Sequence, residues 1–319
     1  MTEIILHHYA ISVFSERVRL ALGLKRLPWR SVSIPHMIPK PDLLPLTGGY
    51  RRTPVLQIGA DIYCDTQLIL RKIEALHPEP TLYPGGSKGL STALAWWVDK
   101  SLFWNALGVL ADTLGSRIPA DFVAERKLFG FPLGPEDVKP LLHRHLQQGA
   151  AHLDWLADML SDGRPFLLGD SVSVADLAAY STFWVLHTQG GDEAVARLPY
   201  GGLRAWASRV AALGHGTPAE MSADEALKVA RETRPEMPLA IGDDDPSGLK
   251  AGTIVLVRAD DTGRDPVRGQ LVAADAQEIV IRSEHPSVGE VNIHFPRAGF
   301  DVIAAYRNID EIAAGRNSA

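Results

Sequence analysis

The sequence predicts an α/β unit followed by an all-α unit, with a small antiparallel, barrel-like β region at the C-terminal end. Three observations predict it. A proline-opened strand, Arg52-Thr53-Pro54-Val55-Leu56-Gln57, runs into a turn at Gly59-Ala60-Asp61, a second short strand and a helix whose apolar residues Leu68, Ile69, Ile73 and Leu76 fall at helical spacing. Two long downstream segments carry apolar stripes of the same period. From Thr253 onward the texture changes to short strands separated by turn residues.

The 319 residues fit two or three domains, and 46% hydrophobic residues suffice for sizeable cores. A formal net charge of −6 argues against nucleic-acid binding through phosphates. The single cysteine, Cys64, excludes an intrachain disulfide framework and fits a reducing cytoplasm. Met1-Thr2-Glu3-Ile4-Ile5 lacks a basic region and a long apolar run, so no signal peptide is expected. No window reaches the ~18 apolar residues of a membrane span, so no membrane partner is expected either.

In the first unit, residues 1–80, Ile4-Ile5-Leu6 has strand length and Tyr9 to Val13 reads as a loop. Phe14, Val18, Ala21 and Leu22 share one helical face, and Gly23 and Pro28 close that helix. Trp29 to Ile34 alternates like a half-buried strand, and Pro35 to Gly49 reads as irregular. Pro54 has no amide hydrogen, so it opens its strand, where a cis bond is an option. Strand–helix–strand followed by strand–strand–helix is a thioredoxin-like order and implies a mixed sheet with helices on both faces.

Four sets of residues in this unit bear on chemistry. Ser12 sits at a helix N-cap, where amides and the dipole favour an anion such as a thiolate; read alone, it is simply a cap. Asp65-Thr66 lies at another helix start, where amides and a hydroxyl suit a carboxylate and Asp65 suits an ammonium; the plain reading is again an N-cap. Cys64, at a strand end, reads as a small buried apolar residue. His7 and His8 alternate across a strand, so they do not share a metal, and no metal site is expected.

Pro78 to Gly86 links to the second unit, residues 87–215. There Ser87 or Ser91 caps a helix striped by Leu90, Leu94, Trp97, Ser101 and Trp104, and a second helix after Pro140 carries Leu142, Leu146, Leu153, Leu156 and Leu160. Ser173, with Asp176 three residues on, forms a capping box for a helix apolar nearly all round, which should be buried. The aromatic group Trp96, Trp97, Phe103 and Trp104 reads as a core stripe or as the lining of an apolar electrophile site. Residues 216–249 read as a linker, with a short helix from Ser222 to about Thr233 and an acidic stretch at Gly242–Pro246. Residues 250–319 form the small β domain, with strands Thr253–Arg258, Val267–Ala273, Glu278–Arg282 and Glu290–Phe295.

Over roughly residues 1–215 this order resembles the glutathione transferase family. Ser12-Val13-Phe14-Ser15-Glu16-Arg17-Val18-Arg19 is similar to the segment that carries the catalytic serine or cysteine of the zeta-, theta- and omega-like branches. The resemblance implies that Ser12 activates the glutathione thiol, with Tyr9 on the same loop as runner-up. Omega-type members carry cysteine where this chain has Ser12, which argues against thiol–disulfide chemistry through an enzyme cysteine. The resemblance further implies that Asp65 and Thr66, in place of the usual Glu or Gln followed by Ser, bind the γ-glutamyl end. The backbone of Thr53, before a cis-Pro54, would pair with the cysteinyl unit. Lys40, in Lys40-Pro41-Asp42-Leu43, would meet the ligand, and Arg51 and Arg52 would supply charge for the glycine carboxylate. The Ser173–Asp176 pair resembles the helix-capping motif of the family's helical domain, whose role is folding.

The implied function is transfer of the glutathione thiolate to a hydrophobic electrophile in a cytoplasmic, detoxifying homodimer. Glutathione would be the co-substrate, with no other cofactor. The other readings are a glutathione-dependent peroxidase or lyase on the same site, and a non-catalytic scaffold that uses its C-terminal region for partners. The resemblance is silent on residues 216–319.

Overall fold

The computed structural model describes residues 3–198, 201–237 and 245–306. Of the acidic stretch at Gly242–Pro246, only Asp245 and Pro246 fall within them. Two compact units alternate along the chain: residues 1–9, 29–69 and 219–319 make one, residues 10–28 and 70–218 the other.

The first unit is built on a sheet. Its strands are β1 (Ile5–His8), β2 (Pro28–Ser33), β3 (Val55–Ile58), β4 (Asp61–Cys64), β5 (Thr217–Glu220), β6 (Ile254–Ala259), β7 (Val267–Ala274), β8 (Glu278–His285), β9 (Gly289–Pro296) and β10 (Phe300–Ala304). Their order in the sheet is β10-β6-β7-β8-β9-β4-β3-β1-β2-β5. β1 runs parallel to β2 and antiparallel to β3, and β3 pairs antiparallel with β4. That is the mixed, thioredoxin-like sheet expected from the strand and helix order.

The helices are α1 (Val13–Leu24), α2 (Leu44–Thr47), α3 (Thr66–Leu76), α4 (Lys88–Trp97), α5 (Phe103–Leu114), α6 (Ala120–Leu128), α7 (Pro135–Val138), α8 (Leu142–Met159), α9 (Val174–Arg197), α10 (Arg204–Ala211) and α11 (Ala223–Glu232).

The C-terminal strands behave differently from the separate β domain expected at residues 250–319. They are antiparallel to one another, as expected, but they do not close into a barrel. β10 pairs with β6, while β9 pairs in parallel with β4 through Asp61 opposite Asn292, Ile62 opposite Ile293 and Tyr63 opposite His294. The extension therefore continues the first sheet. The physical reason is visible in burial: every residue of β4 is buried, as is β9 from Val291 to Pro296. An unpaired β4 edge would leave backbone groups without partners, and β9 supplies them. Ile5, Val55, Ile62, Ile281, Ile293 and Phe295 share one core.

The stretch expected as a linker is also structured. Met221 N donates to Ser31 O at 3.0 Å, bringing β5 alongside β2. α11 starts where expected, and a capping box holds it there: Ser222 Oγ accepts from Glu225 N at 3.2 Å, and Glu225 accepts from Ser222 N at 2.8 Å. Its Ala226 and Ala230 are fully buried in the sheet unit's core.

The second unit is helical. α5 packs on α8 and α9, and α1 and α4 also pack on α9. Asp176, fully buried, anchors the start of α9. Its carboxylate accepts from Ser173 N (2.9 Å) and Oγ (2.8 Å), from Leu167 N (2.8 Å) and from Trp206 Nε1 (2.8 Å). Four donors satisfy a carboxylate that burial alone would penalise. Leu90, expected on the buried stripe of α4, is 58% exposed.

Candidate functional site

In the sheet unit the expected ligand residues gather around the opening of β3. The Thr53–Pro54 peptide bond is cis. Lys40 is buried, and its Nζ donates to Arg51 O and to Thr53 Oγ1, both at 3.0 Å, while lying 5.8 Å from the centre of the Tyr9 ring. Lys40 thus fixes the backbone leading into Pro54. β4 ends at Cys64, fully buried, and burial pushes its thiol well above the usual range. That fits the reading of a small apolar residue.

Asp65 then turns the chain into α3 with φ +72°, a left-handed conformation unusual for a non-glycine residue. Its Oδ1 accepts from Gln67 N at 2.9 Å, and its carbonyl accepts from Ile69 N at 3.0 Å. Thr66 beside it is buried. Sheet geometry holds this turn in place, because Cys64 is paired with Val55.

Arg51 and Arg52 have partners that the sequence pattern did not disclose. Arg52 donates to the Asp261 carboxylate and to the Thr262 carbonyl, and Arg51 donates to Asp265 at 2.7 Å. Both acids lie on the turn between β6 and β7. The available signal was composition: Asp260-Asp261-Thr262-Gly263-Arg264-Asp265 is an acid-rich turn, but nothing in its spacing names an arginine pair some 210 residues away as its partner.

His7 and His8 go separate ways, as alternation requires: His7 Nε2 to Gln57 Oε1 at 2.8 Å, His8 Nε2 to Ser31 Oγ at 3.0 Å. Complete burial, opposed by the Gln57 hydrogen bond, lowers the His7 pKa to about 4.

A polar cluster missed in the sequence joins β4 to the extension. His294 is buried between two carboxylates, with Nε2 3.0 Å from Asp61 and Nδ1 2.6 Å from Glu278. Its ring stacks on Tyr63 with centroids 4.2 Å apart. Burial disfavours a charged imidazole, but hydrogen bonds and the charges of Asp61 and Glu278 outweigh it and raise the His294 pKa.

In the helical unit Ser12 is the N-cap of α1, 4% exposed, with Oγ accepting from Ser15 N at 3.2 Å. As an acceptor in that bond, the hydroxyl keeps its own proton to donate. The loop before it is pinned: Arg19 donates to Ala10 O at 3.0 Å and to Glu16 from both Nε (2.9 Å) and Nη2 (2.7 Å). His215 meets the other oxygen of Glu16 at 3.0 Å. Burial opposes ionisation of Glu16, but His215 and Arg19 prevail and hold its carboxyl below the usual range.

The aromatic group splits in two: Phe103 and Trp104 lie against each other (5.9 Å) and both against Phe131 (6.1 and 4.6 Å), apart from Trp96 and Trp97. Phe103 is buried against Phe14 (5.1 Å), Trp97 faces His152 and Trp155, and Trp96 is 36% exposed with Lys100 over its ring at 4.7 Å.

Comparison with known proteins identifies the fold. Residues 6–81 match the model of the glutathione S-transferase N-terminal domain, and residues 139–209 that of the C-terminal domain. A GST-like protein from Pseudomonas syringae, solved by crystallography, is 37% identical, with 95% of this chain and 100% of that chain covered and a TM-score of 0.77. The chain belongs to the glutathione S-transferase family.

Because the alignment to the Pseudomonas protein covers nearly the whole chain, it takes in most of the strands after residue 250 as well. The tau class glutathione S-transferase from mango matches over 66% of this chain and 89% of its own, at 18% identity and a TM-score of 0.50, a likeness of fold. FtsZ-localized protein A of Caulobacter vibrioides is 26% identical over 179 residues, which are 54% of this chain and 73% of that protein.

Proposed function

We propose that the protein is a glutathione transferase of the serine type. The observation that carries this reading is the opening of β3. Asp65 takes a left-handed backbone at the start of α3, and the buried Lys40 donates to the Arg51 carbonyl and the Thr53 hydroxyl, both at 3.0 Å, so the Thr53 backbone and the Asp65–Thr66 turn are each fixed by the fold, and a left-handed non-glycine residue is the kind of backbone that concentrates at ligand sites. On this reading the tripeptide pairs with the backbone of Thr53 as an added strand, and Asp65 and Thr66 receive its γ-glutamyl end. Ser12 keeps its proton and donates a hydrogen bond from its hydroxyl to the sulfur, and the α1 N-terminus adds to the stabilisation of the thiolate. The thiol proton leaves to solvent, the sulfur lone pair attacks an electrophilic carbon, a C–S bond forms, and the leaving group departs with its electron pair. A hydrophobic electrophile, a cytoplasmic location and a homodimer belong to the same proposal. Among the described residues, no helix is long and apolar enough to cross a membrane.

The test is glutathione binding together with turnover of a generic aryl halide. Ser12→Ala is expected to lower turnover about 10- to 100-fold, the worth of one hydrogen bond to a charged group. Absence of binding both by glutathione and by its glycyl ester would overturn the reading. A second reading, a non-catalytic scaffold, draws on the likeness to FtsZ-localized protein A and on the ion pairs already held by Arg51 and Arg52. It predicts no binding and no turnover. Peroxide turnover in place of aryl transfer would move the chemistry to the peroxidase variant of the first reading.

A further inference from the structure

We propose that the turn between β6 and β7 is a specificity element, so that the β3 site takes a γ-glutamyl-cysteinyl thiol whose far end carries no free carboxylate in preference to glutathione itself. The inference rests on the reading above, in which a thiol peptide lies along Thr53. A peptide carboxylate arriving there would seek the guanidinium groups of Arg51 and Arg52, which immediately precede Thr53 in the chain. Both already hold carboxylates of this same protein: Asp265 on Arg51 at 2.7 Å, and Asp261, with the Thr262 carbonyl, on Arg52.

Lys40, the third cation, directs its ammonium to the Arg51 carbonyl and the Thr53 hydroxyl. The turn carries Asp260, Asp261 and Asp265 against one base, Arg264. Asp65 adds a further negative charge whose field reaches Arg52. A second free carboxylate must therefore displace Asp261 or Asp265, or share a guanidinium with it against like-charge repulsion. An amide or ester end carries no such charge and can still accept hydrogen bonds.

The turn is not a floppy appendage. Gly263 and Val267 are buried, and β6 and β7 are paired within the continuous sheet, so its acids are delivered to Arg51 and Arg52 by the fold.

The experiment measures binding of two probes, glutathione and its glycyl monoethyl ester, to the full chain by calorimetry. It is repeated on Asp261→Asn combined with Asp265→Asn, near-isosteric changes at partly exposed positions. The expected result is that the ester binds the native protein more tightly than glutathione does. The double variant should then raise glutathione affinity about tenfold, the scale of one charge-assisted hydrogen bond, and leave the ester within about twofold. Tighter binding of glutathione than of the ester to the native protein, or a double variant that weakens glutathione, overturns this inference alone. Binding of neither probe to either protein overturns the glutathione reading and this inference with it.

Discussion

Two charged clusters in this protein are built by opposite routes. The loop before Ser12 is held by Arg19, Glu16 and His215, and two of these lie on the helix that Ser12 caps. The opening of β3 is held by Asp261 and Asp265, about 210 residues away in sequence. The first cluster is buried at its centre: the side chains of Arg19 and Glu16 are 7% and 3% exposed, with His215 at the rim, 43% exposed. The second is open on its acidic side, with Asp261 at 34% and Asp265 at 52%, while Arg52 and Arg51 are 17% and 15% exposed. Burial makes the first cluster costly to break and suited to fixing a position. Exposure makes the second cheap to break and suited to competing with a ligand.

Glu16→Ala is expected to have the largest effect on stability, about 3 kcal/mol, because it strands the Arg19 guanidinium in a buried site. Urea unfolding checks this, and a loss below about 1 kcal/mol would mean the pair is solvated in practice. The His294 cluster, buried like the first but long-range like the second, should come next. His294→Ala leaves Asp61 and Glu278 facing each other's vicinity without the imidazolium, at a cost of about 2 kcal/mol. The folded state holds this proton more tightly than the unfolded chain does. Its contribution is thus complete below about pH 6.5, the unfolded value, and is lost as pH rises through the raised folded value. Unfolding curves of native protein and variant should accordingly converge toward alkaline pH; a constant gap would contradict the charged-imidazole account.

Ser12→Ala removes a cap bond and should lower stability by only about 1 kcal/mol, so that a larger fall in turnover reports chemistry rather than folding. Smallest of all, Asp265→Asn breaks an exposed pair and is expected to change the unfolding free energy by less than about 0.5 kcal/mol. A bigger change would indicate that the turn braces the sheet.

The same division between local and long-range decides what the sequence made legible. Ser12 as a cap, the Ser173–Asp176 box, the helix start at Ser222 and the proline opening β3 are short-range devices, written in adjacent residues, and each stands where its spacing put it. Strand texture after residue 253 was legible too, apart from β10. What periodicity could not say is which strand receives β9, because alternation specifies a face and not a partner. Buried polar residues were the available clue: Asn292 and His294, in a strand with no exposed face, needed polar neighbours, and Asp61 on β4 is one. The residues of the β3 site were nameable one by one, but the acids that occupy Arg51 and Arg52 lay beyond any local pattern.

The most direct measurement is the ionisation of the thiol of bound glutathione, followed by thiolate absorbance as pH is raised, in the native protein and in Ser12→Ala. The account predicts a bound thiol pKa clearly below the free value of about 8.5, returning toward it in the variant. A bound thiol that titrates as in free solution, or one equally acidic without the Ser12 hydroxyl, would contradict it.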